Sequence, residues 1–512
     1  MTWLVPLPVI LPLAGAGVAL VLGHRPRVQR LISVVVLTTV LVVAISLLRL
    51  ADSGPLVVNV GGWAAPVGIS LVADRLSALM LAVSAAVTLC VMLYSLAQGL
   101  ADGDEEAPVA IYHPTYLVLT AGVANTFLAG DLFNLYVGFE ILLTASFVLI
   151  TLGGTTARIR SGAIYVVVAI LSSMIFLVAI ALTYSATGTL NMAHLAERLP
   201  SIDSGTTLIL ELLLLTAFAI KAALFPMAAW LPDSYPTAPA PVTAVFAGLL
   251  TKVGIYAMIR TQTLLFADGR TDQVLMVAAL ATMLVGILGA AAQTDIKRLL
   301  SFTLVSHIGY MVFGIALSSQ AGLAAAIFYV IHHITVQTSL FLVVGLVERR
   351  GGTTSLIRLG GLAKAAPLLA VLFFVPAMSL SGIPPFSGFL GKLGLLQAGV
   401  ADGSVLAMTL VVGGVLVSLL TLYVIVKAWN QAFWQEVPEH LPSSGMPTGM
   451  IGPTAALVTL GLALTLFAGP VFAYADRAAV DLRQRQPYIE SVYAGGGRTV
   501  EAPVEASRGR WP

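Results

Sequence analysis

Residues 217–233 read AFAIKAALFPMAAWLPD, and Lys221 stands in this apolar run with no charged residue in the nine positions before it. An ammonium group there is held in lipid or protein, which costs about 2.5 to 3.5 kcal/mol even on the lenient insertion scale. Pro226 comes five residues later, with Pro232, Pro236, Pro239 and Pro241 behind it. Proline removes a backbone donor and clashes with the carbonyl one turn earlier, so the helix carrying Lys221 is expected to break just past it. Broken helices at membrane depth persist only where they are buried or line a cavity. The stretch SLSGIPPFSGFLGKLGLL (379–396) repeats the arrangement, with Pro384 and Pro385 followed by Lys392. Two interrupted spans, each with a nearby lysine and five spans apart, point to an internally repeated transporter with broken helices 7 and 12.

The composition around these stretches sets the solvent. Of 512 residues 58% are hydrophobic and 10% charged, with a mean hydropathy of +0.97. Such values exclude a water-soluble globular domain and imply an all-α polytopic membrane protein. A hydrocarbon core of about 30 Å takes roughly 20 apolar residues per helix. On that basis the spans are 3–22, 31–50, 76–98, 114–130, 133–152, 162–185, 207–230, 240–262, 273–293, 299–318, 321–347, 366–396, 404–433 and 451–473, which makes about 14 transmembrane helices. The first 23 residues lack a signal peptide's basic start and cleavage site and read as a retained span. Residues 51–70 read as a loop of turns with a short hairpin, 189–198 as a short interfacial helix, and the chain from about 476 as a polar, flexible tail.

Charge placement gives an orientation. With the N-terminus outside, the inner loops hold Arg25, Arg27, Arg30, Arg158, Arg160, Lys297, Arg298, Arg349, Arg350, Arg358 and Lys364. The outer side before the tail holds Arg49, Arg75, Arg198, Arg260 and Arg270, so eleven against five puts both termini outside. A net charge of +2 with scattered basic residues argues against nucleic acid as a partner. Cys90 is the only cysteine, so neither an intrachain disulfide nor a cysteine metal cluster is available, and no cofactor or metal is expected.

Once helix ends are set aside, Glu140, Lys221, Lys252 and Lys392 remain inside spans, with the imidazoles of His307, His332 and His333 at comparable positions. These groups face protein or internal water, and each other. Burial and a nearby carboxylate act in opposite senses on a lysine's hold on its proton, so moving Glu140 toward or away from Lys221 would switch that ammonium. Histidines titrate near neutrality and can relay protons between such lysines. The resulting chain runs from Glu140 through Lys221 and Lys252 to His332 or His333 and then Lys392. Sodium wants a cage of oxygens, whereas this interior offers mostly nitrogens. Of the tandem histidines, about 100° apart on one helix, one is expected to face the path and the other to pack. His307 reads as a relay group or a helix-contact histidine, Asp233 as a cap or turn residue, and Asp295, Lys297 and Arg298 as boundary anchors.

The same residues carry a family resemblance. KAALFPMAAWLPDSYPTAPAPVTAVFAGLLTKVGIY (221–256), DIKRLLSFTLVSHIGYM (295–311) and SGIPPFSGFLGK (381–392) resemble the antiporter-like membrane subunits shared by respiratory complex I, membrane-bound hydrogenases and Mrp-type multisubunit sodium/proton antiporters. GDLFNLYVGFEILLTASFVLITLGG (130–154), together with lysine at 392, looks most like the D-type branch of the Mrp antiporter subunits. The resemblance implies fourteen helices with two inverted five-helix repeats. It divides the chain into an N-terminal three-span segment (1–113), a first repeat of spans 4–8 (114–262), a second of spans 9–13 (263–435), a last span (436–475) and a tail (476–512). It also implies a hetero-oligomeric complex with other antiporter subunits in the bacterial cell (inner) membrane, moving protons in exchange for sodium. By motif, Glu140 and Lys221 match the family's ion pair, Lys252 its linking lysine, His332 or His333 its central histidine, and Lys392 its outer-channel lysine. Relatives often place a lysine four residues after the histidine in span 11, where this chain has Gln337, which cannot hold a proton near neutral pH.

The reading that follows is a proton-translocating subunit of a sodium/proton antiporter, without a redox centre and so not an enzyme. The alternative is the proton-pumping membrane subunit of complex I or a membrane-bound hydrogenase, which uses the same channel with redox energy. A solute transporter would need polar and aromatic groups converging on span 7, and ALFPMAAWLP supplies few. A scaffold without transport would tolerate loss of Lys221.

Overall fold

A computed structural model describes residues 1–99, 109–436 and 445–495. Eleven helices among the described residues are long and apolar enough to cross a membrane, and Leu7–Val21 and Pro367–Ser381 are shorter apolar helices. A helix or helix pair stands at every one of the expected stretches. Spans 1 to 6 are Leu7–Val21, Pro26–Leu50, Arg75–Gln98, Val109–Leu128, Leu132–Thr151 and Thr156–Thr187. Span 7 is Ser204–Ala222, a break, and Trp230–Ser234; span 8 is Ala240–Val245, a π turn at Phe246–Leu250, and Thr251–Leu264. Spans 9 to 11 are Asp272–Ala291, Ile296–Ala316 and Gln320–Gly351. Span 12 is Pro367–Ser381, a break, and Ser387–Asp402; spans 13 and 14 are Val405–Trp429 and Thr448–Leu466.

The helices start and stop where local chemistry directs. Asp131, Asp203 and Asp295 accept backbone N–H groups at the starts of spans 5, 7 and 10, and Ser319 and Ser404 do so for spans 11 and 13. Spans 8 and 11 are buried along their whole apolar windows, whereas spans 2, 13 and 14 bury a third or less of theirs. Spans 8 and 11, which carry Lys252, His332 and His333, therefore run through the middle of the bundle, and the other three form its lipid-facing rim.

The two halves share several features. Spans 6 and 11 both have 32 residues and end on left-handed glycines, Gly188 and Gly352. Asp131 forms an isolated bridge with Asn191, and Asp295 forms one with Ser355. Spans alternate in direction, so the first bridge lies at one end of the bundle and the second at the opposite end. The first end, the hairpin end, also carries the antiparallel pair Leu56–Asn59 and Ser70–Ala73; the first strand lies within the stretch expected to hold a hairpin, and the second begins at its last residue and runs three further.

Both breaks are closed in the same way. Ala223 at φ 60° ends the first half of span 7, and Gly382 at φ 84° ends that of span 12. The freed N–H of Phe225 donates to Thr282 Oγ1 of span 9 at 3.0 Å, and that of Ser387 to Thr465 Oγ1 of span 14 at 2.9 Å. Neighbouring hydroxyls thus satisfy donors that the interrupted helices cannot.

The expected short helix is Met192–Arg198. The expected flexible tail is corrected in part, because Ala468–Gln484 and Gln486–Ala494 are helical and packed on the bundle. Their apolar residues Ala475, Ala478, Leu482, Tyr488 and Val492 are buried at the hairpin end. Arg477 pairs with Asp52 at 3.0 Å, and Arg75 with Asp481. Residues 496–512 of that tail lie outside the described residues.

Candidate functional site

Span 5 brings Glu140 to the side of span 7, where Lys221 sits one residue before the first half-helix ends. Lys221 is 8% exposed, and its ammonium lies 5.1 Å from the Phe139 ring centroid. Glu140 and Lys221, matched by motif to an ion pair, are joined through a bridge. Lys221 Nζ donates to Ser173 Oγ at 3.1 Å, and the Ser173 hydroxyl donates to Glu140 Oε1. A hydroxyl both donates and accepts, so it links an ammonium to a carboxylate that does not reach it directly. In the sequence only the pair Ser172 and Ser173 in an apolar span hints at it, a weak signal.

Beside Lys221 is a cavity of about 20 Å³, lined by Phe139, Tyr165, Ser172, Trp230 and Val253 among others. That volume suits a single water. Lys221 and Val253, the neighbour of Lys252, both line it.

Lys252 is fully buried and donates to the carbonyl of Ala247. That carbonyl belongs to the π turn Phe246–Leu250, where the helix ladder is interrupted. Such turns leave backbone acceptors without their usual partners. Lys252 has a carbonyl dipole as its partner and no carboxylate.

Spans 10, 11 and 12 assemble the imidazoles. His307 Nδ1 lies 2.7 Å from the Tyr329 hydroxyl, and the His307 and His333 ring centroids are 5.3 Å apart. His332 Nδ1 lies 2.9 Å from Ser387 Oγ on the second half of span 12. Both tandem histidines are fully buried, one turned to span 12 and the other to span 10. His332 thus meets a hydroxyl of span 12, whereas His333 meets the rings of His307 and Tyr329. Among the described residues His333 finds no hydrogen-bond partner on either ring nitrogen, and His307 Nε2 and His332 Nε2 find none. Gln337 donates to Leu300 O at 2.9 Å, so its amide is tied to a backbone carbonyl.

Lys392 approaches the second break from its far side. Its Nζ donates to Leu380 O at 3.2 Å, Ser381 O at 3.1 Å and Ser418 Oγ at 3.1 Å, and lies 5.0 Å from the Tyr310 ring centroid. All three ammonium protons are satisfied, two by carbonyls at the C-terminal end of a half-helix, where the helix dipole is negative.

Other charges fall outside the expected set. Asp233 pairs with Arg298 at 2.7 Å instead of capping a helix. Lys297 pairs with Glu348 at 2.7 Å. Arg260, expected in an outer loop, is buried in span 8 and pairs with Asp74 at 2.7 Å, its guanidinium lying 5.1 Å from the Tyr488 ring centroid. Glu211 is a further buried carboxylate in span 7. Both lie within a few turns of a helix end, where counting inward from the sequence treats charges as interfacial.

Comparison with known proteins adds independent findings. Residues 129–418 match the family described as NADH:quinone oxidoreductase/Mrp antiporter, transmembrane. The chain is 40% identical over 496 residues to the D subunit of the Na(+)/H(+) antiporter of Alkalihalophilus pseudofirmus, covering 96% of this chain and 99% of the relative. It is 36% identical to the protein of the same description in Bacillus subtilis, covering 95% and 98%. Among solved structures it resembles a chain of the Mrp complex from Dietzia sp. with a TM-score of 0.88 and 34% identity, covering 96% of this chain and all of that one.

Proposed function

The chain belongs to the NADH:quinone oxidoreductase/Mrp antiporter transmembrane family, and from that premise we propose how its buried groups carry protons. It is a multi-pass membrane subunit of an Mrp-type sodium/proton antiporter, a transporter component that acts within a complex of several different subunits. Its work is proton translocation through the two halves of the bundle. The steps run from Glu140 and Ser173 to Lys221, by the adjoining cavity to Lys252, through His307, Tyr329 and His333, and by His332 and Ser387 to Lys392. The single observation that carries this reading is the Ser173 hydroxyl standing between a buried ammonium and a carboxylate. That geometry lets a proton change owner by small motions of three side chains.

Two finer features belong to the same proposal. Spans 4–8 and 9–13 are inverted repeats, a reading supported by the equal lengths of spans 6 and 11 and by corresponding bridges at opposite ends. The hairpin end faces outward with both termini, a reading supported by the excess of basic residues in loops at the other end.

The test uses everted vesicles containing the whole complex. Lys221→Ala, Glu140→Ala and Lys252→Ala should each assemble and abolish sodium-dependent proton flux reported by a pH-sensitive dye. Wild-type flux in an assembled Lys221→Ala complex would make the buried lysine a packing element.

A further inference from the structure

Glu211 is a buried carboxylate that the path from Glu140 to Lys392 does not use. It is 1% exposed and stands seven residues into span 7, roughly 10 Å from that helix's start at the hairpin end. Among the described residues no lysine or arginine pairs with it. Its partner is a hydroxyl: Thr271 Oγ1 donates to Glu211 Oε1 at 2.6 Å. Thr271 Oγ1 also lies 3.2 Å from the Gln262 side-chain oxygen, while Gln262 Nε2 is buried without a partner. A threonine has a single hydroxyl proton, so the contact to Gln262 is a hydrogen bond only with the amide turned to donate. The three side chains then form one chain ending on the carboxylate.

Every charged group around Glu211 leaves it without a fixed counter-ion. Asp268 and Asp272 are acids themselves, and their charges bear on the Glu211 carboxyl. Arg270 is committed to Asp268 at 2.6 Å and to Ser204 O at 3.0 Å. Arg485, from the C-terminal helices, donates to Leu264 O at 3.5 Å. An open cleft of about 370 Å³ lies beside this group, lined by Ser204, Thr207, Leu265, Asp268, Arg270 and Arg485. Thr207 is one helical turn before Glu211, and Thr271 follows Arg270 directly. The cleft thus comes within one helical turn of Glu211 and touches the residue before Thr271, while Glu211 and Thr271 themselves are buried behind its wall.

We propose that Glu211 is a proton-exchange group at the hairpin end, taking a proton from the cleft through Thr271 and returning it there. In the step the Thr271 O–H proton passes to a carboxylate oxygen while the Thr271 oxygen takes a proton from hydronium in the cleft, which leaves as water; the return runs in reverse. Oxygens 2.6 Å apart are spaced for a shared hydrogen and too close to flank a sodium ion, which holds its ligands wider. The inference rests on the proton-translocating reading of the Glu140 to Lys392 path.

The assembled complex in vesicles, with the pH on the hairpin side varied, tests it. Glu211→Gln should lower proton flux about 100-fold, the effect typical of one positioned proton-transfer group, and flatten the dependence on that pH. Glu211→Asp should keep most of the flux and the pH dependence. A Glu211→Gln complex that assembles with wild-type rate and pH profile overturns the proposal. If Glu211→Gln fails to assemble, Thr271→Val decides: a shifted profile supports the proposal and an unmoved one overturns it. Lys221→Ala in the same vesicles separates the two readings. If it abolishes flux while Glu211→Gln does not, the Glu211 proposal alone falls. If Lys221→Ala transports normally, the underlying path falls.

Discussion

A serine hydroxyl between an ammonium and a carboxylate is a small group in a demanding place. Removing it leaves a buried charge short of a partner and takes away the atom through which the proton crosses. Hydrogen bonds to charged groups are worth about 1.5 to 3 kcal/mol, so Ser173→Ala should cut antiport on the order of 10- to 100-fold. Ser173→Thr keeps the hydroxyl and should recover most of the rate, measured in the same vesicles with assembly checked by copurification. An unchanged Ser173→Ala rate would remove the hydroxyl from the path. The charged residues are legible in the sequence because a titratable group in an apolar run is conspicuous. Ser173, Tyr329 and Ser387 are not, since uncharged hydroxyls are common in spans and often bond their own helix backbone, as Thr183 does here.

Each broken helix needs its ends held, and glycine makes the second break possible. A Cβ on Gly388 would stand 1.8 Å from Ser379 O and 3.0 Å from His332 Cε1. Backbone cannot yield cheaply there, so Gly388→Ala should cost about 1 to 3 kcal/mol and displace His332 from Ser387. Lowered thermal stability of the purified complex together with reduced flux is the expected result, and wild-type values of both would contradict the packing. The interruptions themselves are readable, because consecutive prolines near a lysine leave a helix few options. How the ends are stitched is not, since Thr282 and Thr465 come from spans distant in sequence. The π turn beneath Lys252 is equally hidden, as FAGLL carries no proline to announce it.

Across the whole molecule, the C-terminal helices act as a strap over the hairpin end. Hydrogen bonds from Arg75 first, and then from Arg477, hold the Asp52 carboxyl below its usual range. A carboxyl whose folded pKa is lowered contributes stability above the ordinary carboxylate range and loses it as pH falls through the lowered value. Protection of the 468–494 amides, measured against their intrinsic exchange rates at each pH, should therefore fall in acid below that range, and Asp52→Asn should show the lower protection already at neutral pH. High protection that stays constant with pH in both would mean that apolar packing alone holds the strap. In the sequence that strap reads as loose chain because its polar face dominates the composition, while the small residues that bury it leave a weak signal. The interior, in turn, limits how fast such a machine can run. Among the described residues, Lys252, His307, His332, His333 and Lys392 have no carboxylate as a hydrogen-bond or ion-pair partner. A guest charge arriving in that stretch meets carbonyl dipoles and hydroxyls in place of an opposite charge, and repels the next. The stretch is a waiting room with one seat, and traffic through it forms a queue whose pace is set by each departure.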